Sequence, residues 1–133
     1  MIGTNLTGVL LCCQAVGRVM IRQGAGKIVN ITSVAGRTGS RGMAAYAAAQ
    51  AGVTTLTQSV GAEWAKHGIT VNAVAPGPTR TEGVLEVWKS PAMIARAARE
   101  VPLQRLGRPE EVAWAVSSSH PTAPTSSPGR RST

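Results

Sequence analysis

Lys27-Ile28-Val29-Asn30-Ile31-Thr32-Ser33 is the stretch on which the reading of this chain turns. Ile28, Val29 and Ile31 make it a strand buried on both faces, as in a covered parallel sheet. Residues 34–42 follow as a loop rich in Gly, Arg and Ser. Residues 43–66 then read as a long helix, with Val53, Leu56, Val60 and Trp64 at helical spacing on one inward face and Gly68 as its stop. A second buried strand occupies 69–75 and is closed by Pro76-Gly77-Pro78. Upstream, 5–23 reads as a helix whose stripe is Leu6, Leu10, Cys13, Gly17 and Met20, ended by Gly24-Ala25-Gly26. Helical fragments follow at 83–89 and 91–99. A further helix opens at Pro109, with Glu110 and Glu111 beside its positive end.

Helix, strand, helix, strand, helix is the rhythm of a doubly wound α/β fold with parallel strands and flanking helices, joined by a right-handed crossover. Two parallel strands make little sheet, and each leaves a backbone edge to be covered. One small domain is the most that 133 residues can hold.

Lys and Arg total 14 against 6 acidic residues, a net charge of +8, but the basic residues are scattered and aromatics are 3%. Nucleic-acid binders concentrate basic residues on one face, and single-strand binders add stacking aromatics, so nucleic-acid binding is not expected. Cys12 and Cys13 are neighbours on a helix and point to different faces, so a disulfide between them is not expected. They read as small apolar packing in a reducing, cytoplasmic setting. No Cys/His spacing suits a zinc site, and His67 and His120 stand alone, so no metal is expected. There is no basic start of a signal peptide, the apolar run over 9–16 is broken, and no stretch reads as long enough to span a membrane.

Ser33 stands at the end of the first strand, and Tyr46 follows after twelve residues, one turn into the next helix. A hydroxyl and a phenol so placed can meet over one substrate atom. Around them lie Asn5-Leu6-Thr7-Gly8, Gly26 to Ser33, the run Gly68-Ile69-Thr70-Val71-Asn72-Ala73-Val74-Ala75-Pro76-Gly77, and the run Pro102-Leu103-Gln104-Arg105-Leu106-Gly107-Arg108-Pro109-Glu110-Glu111-Val112-Ala113. In this order and spacing they resemble the middle and later part of the short-chain dehydrogenase/reductase family. The resemblance covers residues 3–116. It implies a partial Rossmann-like fold with its first half missing, and an NAD(P)-dependent oxidoreductase acting on an alcohol/carbonyl pair of small molecules.

Carried over by that resemblance, Tyr46 is the acid/base that exchanges a proton with the substrate oxygen, and Ser33 holds the same oxygen. Asn5 matches the family's helix Asn that keeps a water for proton relay; a helix N-cap is its plainer reading. Tyr46 and Gln50, with Pro76, Gly77, Thr79 and Thr81, match positions beside the nicotinamide and its ribose. Where the family has a Lys, four residues after the Tyr, this chain has Gln50. Phenols ordinarily titrate near ~10 and make poor bases at neutral pH unless a positive charge favours their anion. Gln50 can donate hydrogen bonds and touch ribose, but it brings no charge.

Two departures shape the expected function. The family opens with a strand, a Gly-rich turn and a helix that hold the cofactor pyrophosphate. That half is not in this sequence. Gly24 and Gly26 precede a strand, the wrong order for such a turn, and Gly36, Gly39 and Gly42 read as a flexible loop after Ser33. NAD or NADP is thus the family's cofactor, but the chain alone is not expected to hold it. The second departure is the tail. From His120 the chain turns to Pro, Thr, Ser and Arg without apolar periodicity, so 1–118 reads as a partial short-chain dehydrogenase/reductase domain and 119–133 as a disordered tail. A frameshift near 116–118 accounts for the break. The alternative to an enzyme is a non-catalytic remnant or an interaction fragment, because the two long helices, 5–23 and 43–66, commonly form the homo-oligomer interface in this family. Asn30 and Asn72 read as strand residues that pair with neighbouring loops and stay outside the site.

Overall fold

The computed structural model describes residues 1–119. Two parallel strands, β1 (Gly26–Ile31) and β2 (Ile69–Val74), pair in register from Gly26 opposite Ile69 to Ile31 opposite Val74. Pairing continues past the strands: the Thr32 N–H donates to Val74 O (2.8 Å) and the Val34 N–H to Pro76 O (3.1 Å). The two strands therefore end together, and the segments that leave them start side by side.

Helix α1 (Gly8–Gln23) precedes β1 and is ended by Gly24, whose φ of 69° places it in the left-handed region that Gly reaches without a Cβ clash. A π turn, Gly3–Thr7, leads into α1 without a break. Asn5 lies inside that turn, so it is not the helix N-cap that its residue type suggested. The joined helix Gly3–Gln23 is, by length and composition, long and apolar enough to cross a membrane, with 11% of its most apolar window buried. This corrects the expectation that no stretch is long enough. The π turn carries the helix back to Gly3, and the polar residues that interrupt the run, Asn5 and Gln14, stay within it. Core helices of soluble folds and signal sequences share this composition.

After β1 the chain makes a one-turn helix, α2 (Ala35–Thr38), where a loop was expected. It packs on α3 (Ala44–Trp64), the crossover helix, which a 3-10 turn (Ala65–His67) and Gly68 join to β2. Gly36 makes the packing possible. A Cβ at this position would lie 2.7 Å from Ala51 N and 2.8 Å from the Gln50 carbonyl carbon, both backbone atoms that cannot rotate away. Three shorter helices follow: α4 (Glu82–Val87), α5 (Pro91–Arg99) and α6 (Pro109–Ser118). The first two are capped by their own hydroxyls, Thr81 Oγ1 accepting from Val84 N–H (3.3 Å) and Ser90 Oγ from Ala92 N–H (3.2 Å). Ser119 closes α6, and the rest of the expected tail over 119–133 lies outside the described residues.

The core lies between the sheet and α1 and α3. Cys13, Ala49, Val53, Val60 and Ile69 are buried there, with Leu56 and Trp64 half-buried on the expected inward face of α3. Gly17 of α1 sits under the Trp64 ring, and Leu6 sits against Gly52. A polar thread crosses the same space. Asn30 of β1 donates through Nδ2 to Thr57 Oγ1 of α3 (2.9 Å), Thr57 donates to Val53 O (2.7 Å), and Cys13 Sγ lies 3.8 Å from Asn30 Oδ1. Asn30 thus joins strand to helix beneath the sheet, where the sequence suggested a loop partner. Cys12 is exposed, Cys13 buried, and both are free.

Candidate active site

The strand ends decide where a site can form. In open α/β sheets ligands bind beyond the carboxyl ends of the strands, where the connections diverge. Here β1 delivers Ser33 to that edge and β2 delivers Pro76 and Gly77 beside it, held by the Val34 to Pro76 hydrogen bond. α3 begins nearby and presents Tyr46 in its first turn, half-buried. Ser33, Tyr46, Pro76, Gly77, Thr79 and Thr81 all line one open cleft of about 920 Å³. Small-molecule sites commonly enclose about 300–1,000 Å³.

Each wall has a local cause. Ser33 Oγ accepts from the Ala35 N–H (3.2 Å), and Ser33 O accepts from the Gly36 N–H (3.0 Å), so the residue both starts α2 and faces the cleft. Accepting this bond leaves the hydroxyl able to donate into the cleft, because a hydroxyl that accepts one bond can still donate another. Thr79 Oγ1 donates to Gly77 O (3.0 Å), folding the segment after β2 back on itself. Thr79 also forms a parallel bridge with Gly107; the Arg80 N–H donates to Gly107 O and the Gly107 N–H to Pro78 O, both 2.9 Å. Thr81 is committed to capping α4 and reaches the cleft from that position.

Asn5 and Gln50 are not among the residues lining the cleft. The Asn5 side chain donates to Met1 Sδ (3.1 Å) from within its π turn, a helix form found frequently at functional sites. Gln50 lies one turn beyond Tyr46 beneath Gly36, is 9% exposed, and its Oε1 has no hydrogen-bond partner among the described residues. A buried acceptor without a donor is costly, on the order of 1–3 kcal/mol.

This bears on NAD or NADP. Pro76, Gly77 and Thr79, at the strand ends and in the cleft lining, fit the nicotinamide end of such a cofactor, whereas the orphaned Gln50 acceptor is buried outside that lining. For the pyrophosphate end the described residues offer no long helix starting from a Gly-rich turn after a strand. The helix that follows β1 is the four-residue α2. Among the described residues no group of His, Cys, Asp and Glu could hold a metal ion.

Behind the cleft Glu111 of α6 anchors the segment before it. Arg105 donates to it through both guanidinium nitrogens (2.6 and 2.9 Å), and the Arg108 N–H donates to the same carboxylate (2.7 Å). The Arg105 hydrogen bonds, then the Arg108 N–H, push the Glu111 carboxyl down to about 2. Arg108 also lies over the Trp114 ring, 5.8 Å from its centroid. The sequence pattern gave Glu111 a place near a helix start but not this clamp, which depends on a turn bringing Arg105 back.

Residues 1–118 match a family model described as enoyl-(acyl carrier protein) reductase. The chain is 47% identical over 115 residues to a 3-oxoacyl-(acyl-carrier-protein) reductase of Synechocystis sp., an alignment spanning 86% of this chain and 44% of the relative. It is similar to the crystal structure of a gluconate 5-dehydrogenase from Burkholderia cenocepacia in complex with NADP and tartrate, with a TM-score of 0.79, 38% identity, and coverage of 84% of this chain and 44% of that one. A solved short chain dehydrogenase/reductase family protein matches with a TM-score of 0.79 and 38% identity, over 87% of this chain and 46% of its own. The chain thus spans under half the length of each of these relatives.

Proposed function

The chain belongs to the short-chain dehydrogenase/reductase family, and on that premise we propose that it carries the acid/base half of an NAD(P)-dependent oxidoreductase site for alcohol/carbonyl pairs. The observation that carries this reading is that Ser33 and Tyr46, on separate elements, line one cleft at the carboxyl ends of the strands.

In this reading the Tyr46 phenol exchanges a proton with the substrate oxygen. The Ser33 hydroxyl donates a hydrogen bond to the same oxygen and fixes its position. Pro76, Gly77, Thr79 and Thr81 border the nicotinamide, and Gln50 Oε1, buried beneath α2, meets a ribose hydroxyl only when α2 moves aside. When bound, the nicotinamide supplies or takes the hydride. Asn5, in its π turn, keeps a water for proton relay. Gln50 leaves the phenol without the neighbouring positive charge that would favour its anion, so proton transfer is slower than with a Lys at this position.

The 133 residues by themselves are proposed to be inactive, since none of the described segments cradles a pyrophosphate. The test joins them to a relative's strand, Gly-rich turn and helix and follows nicotinamide oxidation. Tyr46→Phe in that protein should lower turnover by roughly 10²-fold or more, and Gln50→Lys should raise it. Unchanged turnover in Tyr46→Phe would refute the assignment.

A second reading is an interaction fragment. On α1, Cys12, Val16 and Val19 fall at helical spacing and are exposed, Val16 at 42% and Val19 at 44%. This apolar stripe supports homo-oligomers formed through α1 and α3. The opposite face of α1 packs on Trp64 and Asn30, and Leu6 of the π turn packs on Gly52, which favours a layer helix over a membrane span. The two free cysteines suit a cytoplasmic setting. No nucleic-acid partner is proposed.

A further inference from the structure

The walls of the cleft specify the kind of molecule it takes. The chain has 14 Lys and Arg residues and a net charge of +8. Among the described residues none of these cations lines the cleft, and its one charged lining residue is an acid, Glu100. That carboxylate sits at the exposed end of α5, with its side chain 70% exposed and Arg96 Nε 3.9 Å away. Its charge therefore faces water at the rim. Inside, the surface around Ser33 and Tyr46 is apolar, made by Met43, Val84, Trp88 and Val101. The remaining polar groups are neutral hydroxyls such as Thr38 and Ser40.

A carboxylate or phosphate entering this space would lose hydration and meet no cation to replace it. An uncharged ring or chain would release water from the apolar walls and still offer one oxygen to the two hydroxyls. Resting on the oxidoreductase reading above, we infer that the substrate is an uncharged alcohol or ketone with an apolar body, and that the cleft discriminates against anions of the same shape. Trp88 and Val84 are the specificity-determining residues.

Saturation-transfer NMR on the 133-residue chain tests this with cyclohexanol and cyclohexanecarboxylate as matched probes; the method gains from slow tumbling, so self-association is no obstacle. The expected result is about tenfold or more tighter binding of the alcohol at neutral pH. Trp88→Ala should lose most of the alcohol signal. Glu100→Lys, which places a cation at the exposed rim, should strengthen carboxylate binding several-fold and shift the preference between the two probes toward the carboxylate. Equal or tighter binding of the carboxylate by the unsubstituted chain overturns the inference, as does binding of neither probe. Ser33→Ala and Tyr46→Phe separate it from the reading on which it rests. If either weakens alcohol binding, the hydroxyl is seated on the proposed pair. If neither does and Trp88 is still required, the substrate class stands and the acid/base assignment falls.

Discussion

Replacing Gln50 by Met should make this chain more stable. Gln50 is 9% exposed and its Oε1 is buried without a partner among the described residues. Such an acceptor costs about 1–3 kcal/mol. Met is similarly long and unbranched, nearly matches Gln in helix propensity, and its thioether asks for no donor. A gain of about 1–2 kcal/mol is expected. With a urea slope of about 1–3 kcal/mol per molar, the midpoint should rise by roughly 0.5–1 M. Gln50→Lys should act in the opposite sense, because burial disfavours an ammonium and lowers its folded-state pKa below the unfolded value of ~10.4. Between those two values the unfolded chain binds more protons, so the stability of the Lys variant should rise with pH across that window. Urea unfolding followed by far-ultraviolet circular dichroism, at low micromolar concentration and from about pH 7 to 9.5, reads both effects. A Met variant no more stable than the parent would refute the reasoning. So would a Lys deficit that stays constant with pH. The stabilised Met variant gives up the acceptor proposed for ribose, a trade of function for stability common at binding sites.

The isolated chain should bind NAD(H) or NADP(H) no more tightly than ~100 µM, about −5.5 kcal/mol; calorimetric titration giving tighter binding would contradict the absence of a pyrophosphate cradle among the described residues. Size-exclusion chromatography should find the purified chain self-associated at the higher concentrations of that method, because Ile31, Val16 and Val19 are 49%, 42% and 44% exposed and both strands have open edges. A monodisperse monomer melting in one cooperative step would show the fragment to be self-sufficient. Glu111, whose carboxyl is pushed down to about 2, should contribute stability that is present above the unfolded carboxylate pKa of ~4.3 and is lost as pH falls toward 2. Glu111→Gln should remove that acid-side loss, and an unchanged acid profile would show that the Arg105 clamp does not persist in solution.

What could be read from the sequence was what local pattern controls. Apolar runs located β1 and β2 within a residue or two at each end, and helical spacing with Gly stops located α1 and α3. The spacing of Ser33 and Tyr46 carried them to one cleft because both flank the β1 to α3 connection, whereas the loop residues Pro76 to Thr81 were read from the family resemblance alone, and the strand pairing is what sets them beside Ser33. Hidden features all depend on distant partners. Helix α2 is stabilised by docking through Gly36, and its Gly content argues against a helix locally. Asn30 looked like a strand residue in need of a loop, and its partner Thr57 comes from the inward face of α3, distant in sequence. Nothing in a single sequence marks a π turn at Asn5, and the burial of Gln50 is a property of the layer above it.

The bridge between Thr79 and Gly107 divides the chain in a way the layers do not. It pins both ends of the excursion that carries α4 and α5, so the cleft wall containing Val84 and Trp88 hangs from two fixed points beside the sheet. Lengthening or replacing that excursion leaves β1, β2, Ser33 and Tyr46 where they are. The entropic cost of closing a longer loop grows slowly, by about 0.6 kcal/mol for each doubling. Selection can therefore vary the wall almost independently of the chemistry, as a tool holder accepts different bits. For protein engineers this bridge marks the two junctions at which to graft a new cleft wall beside an unchanged Ser33 and Tyr46.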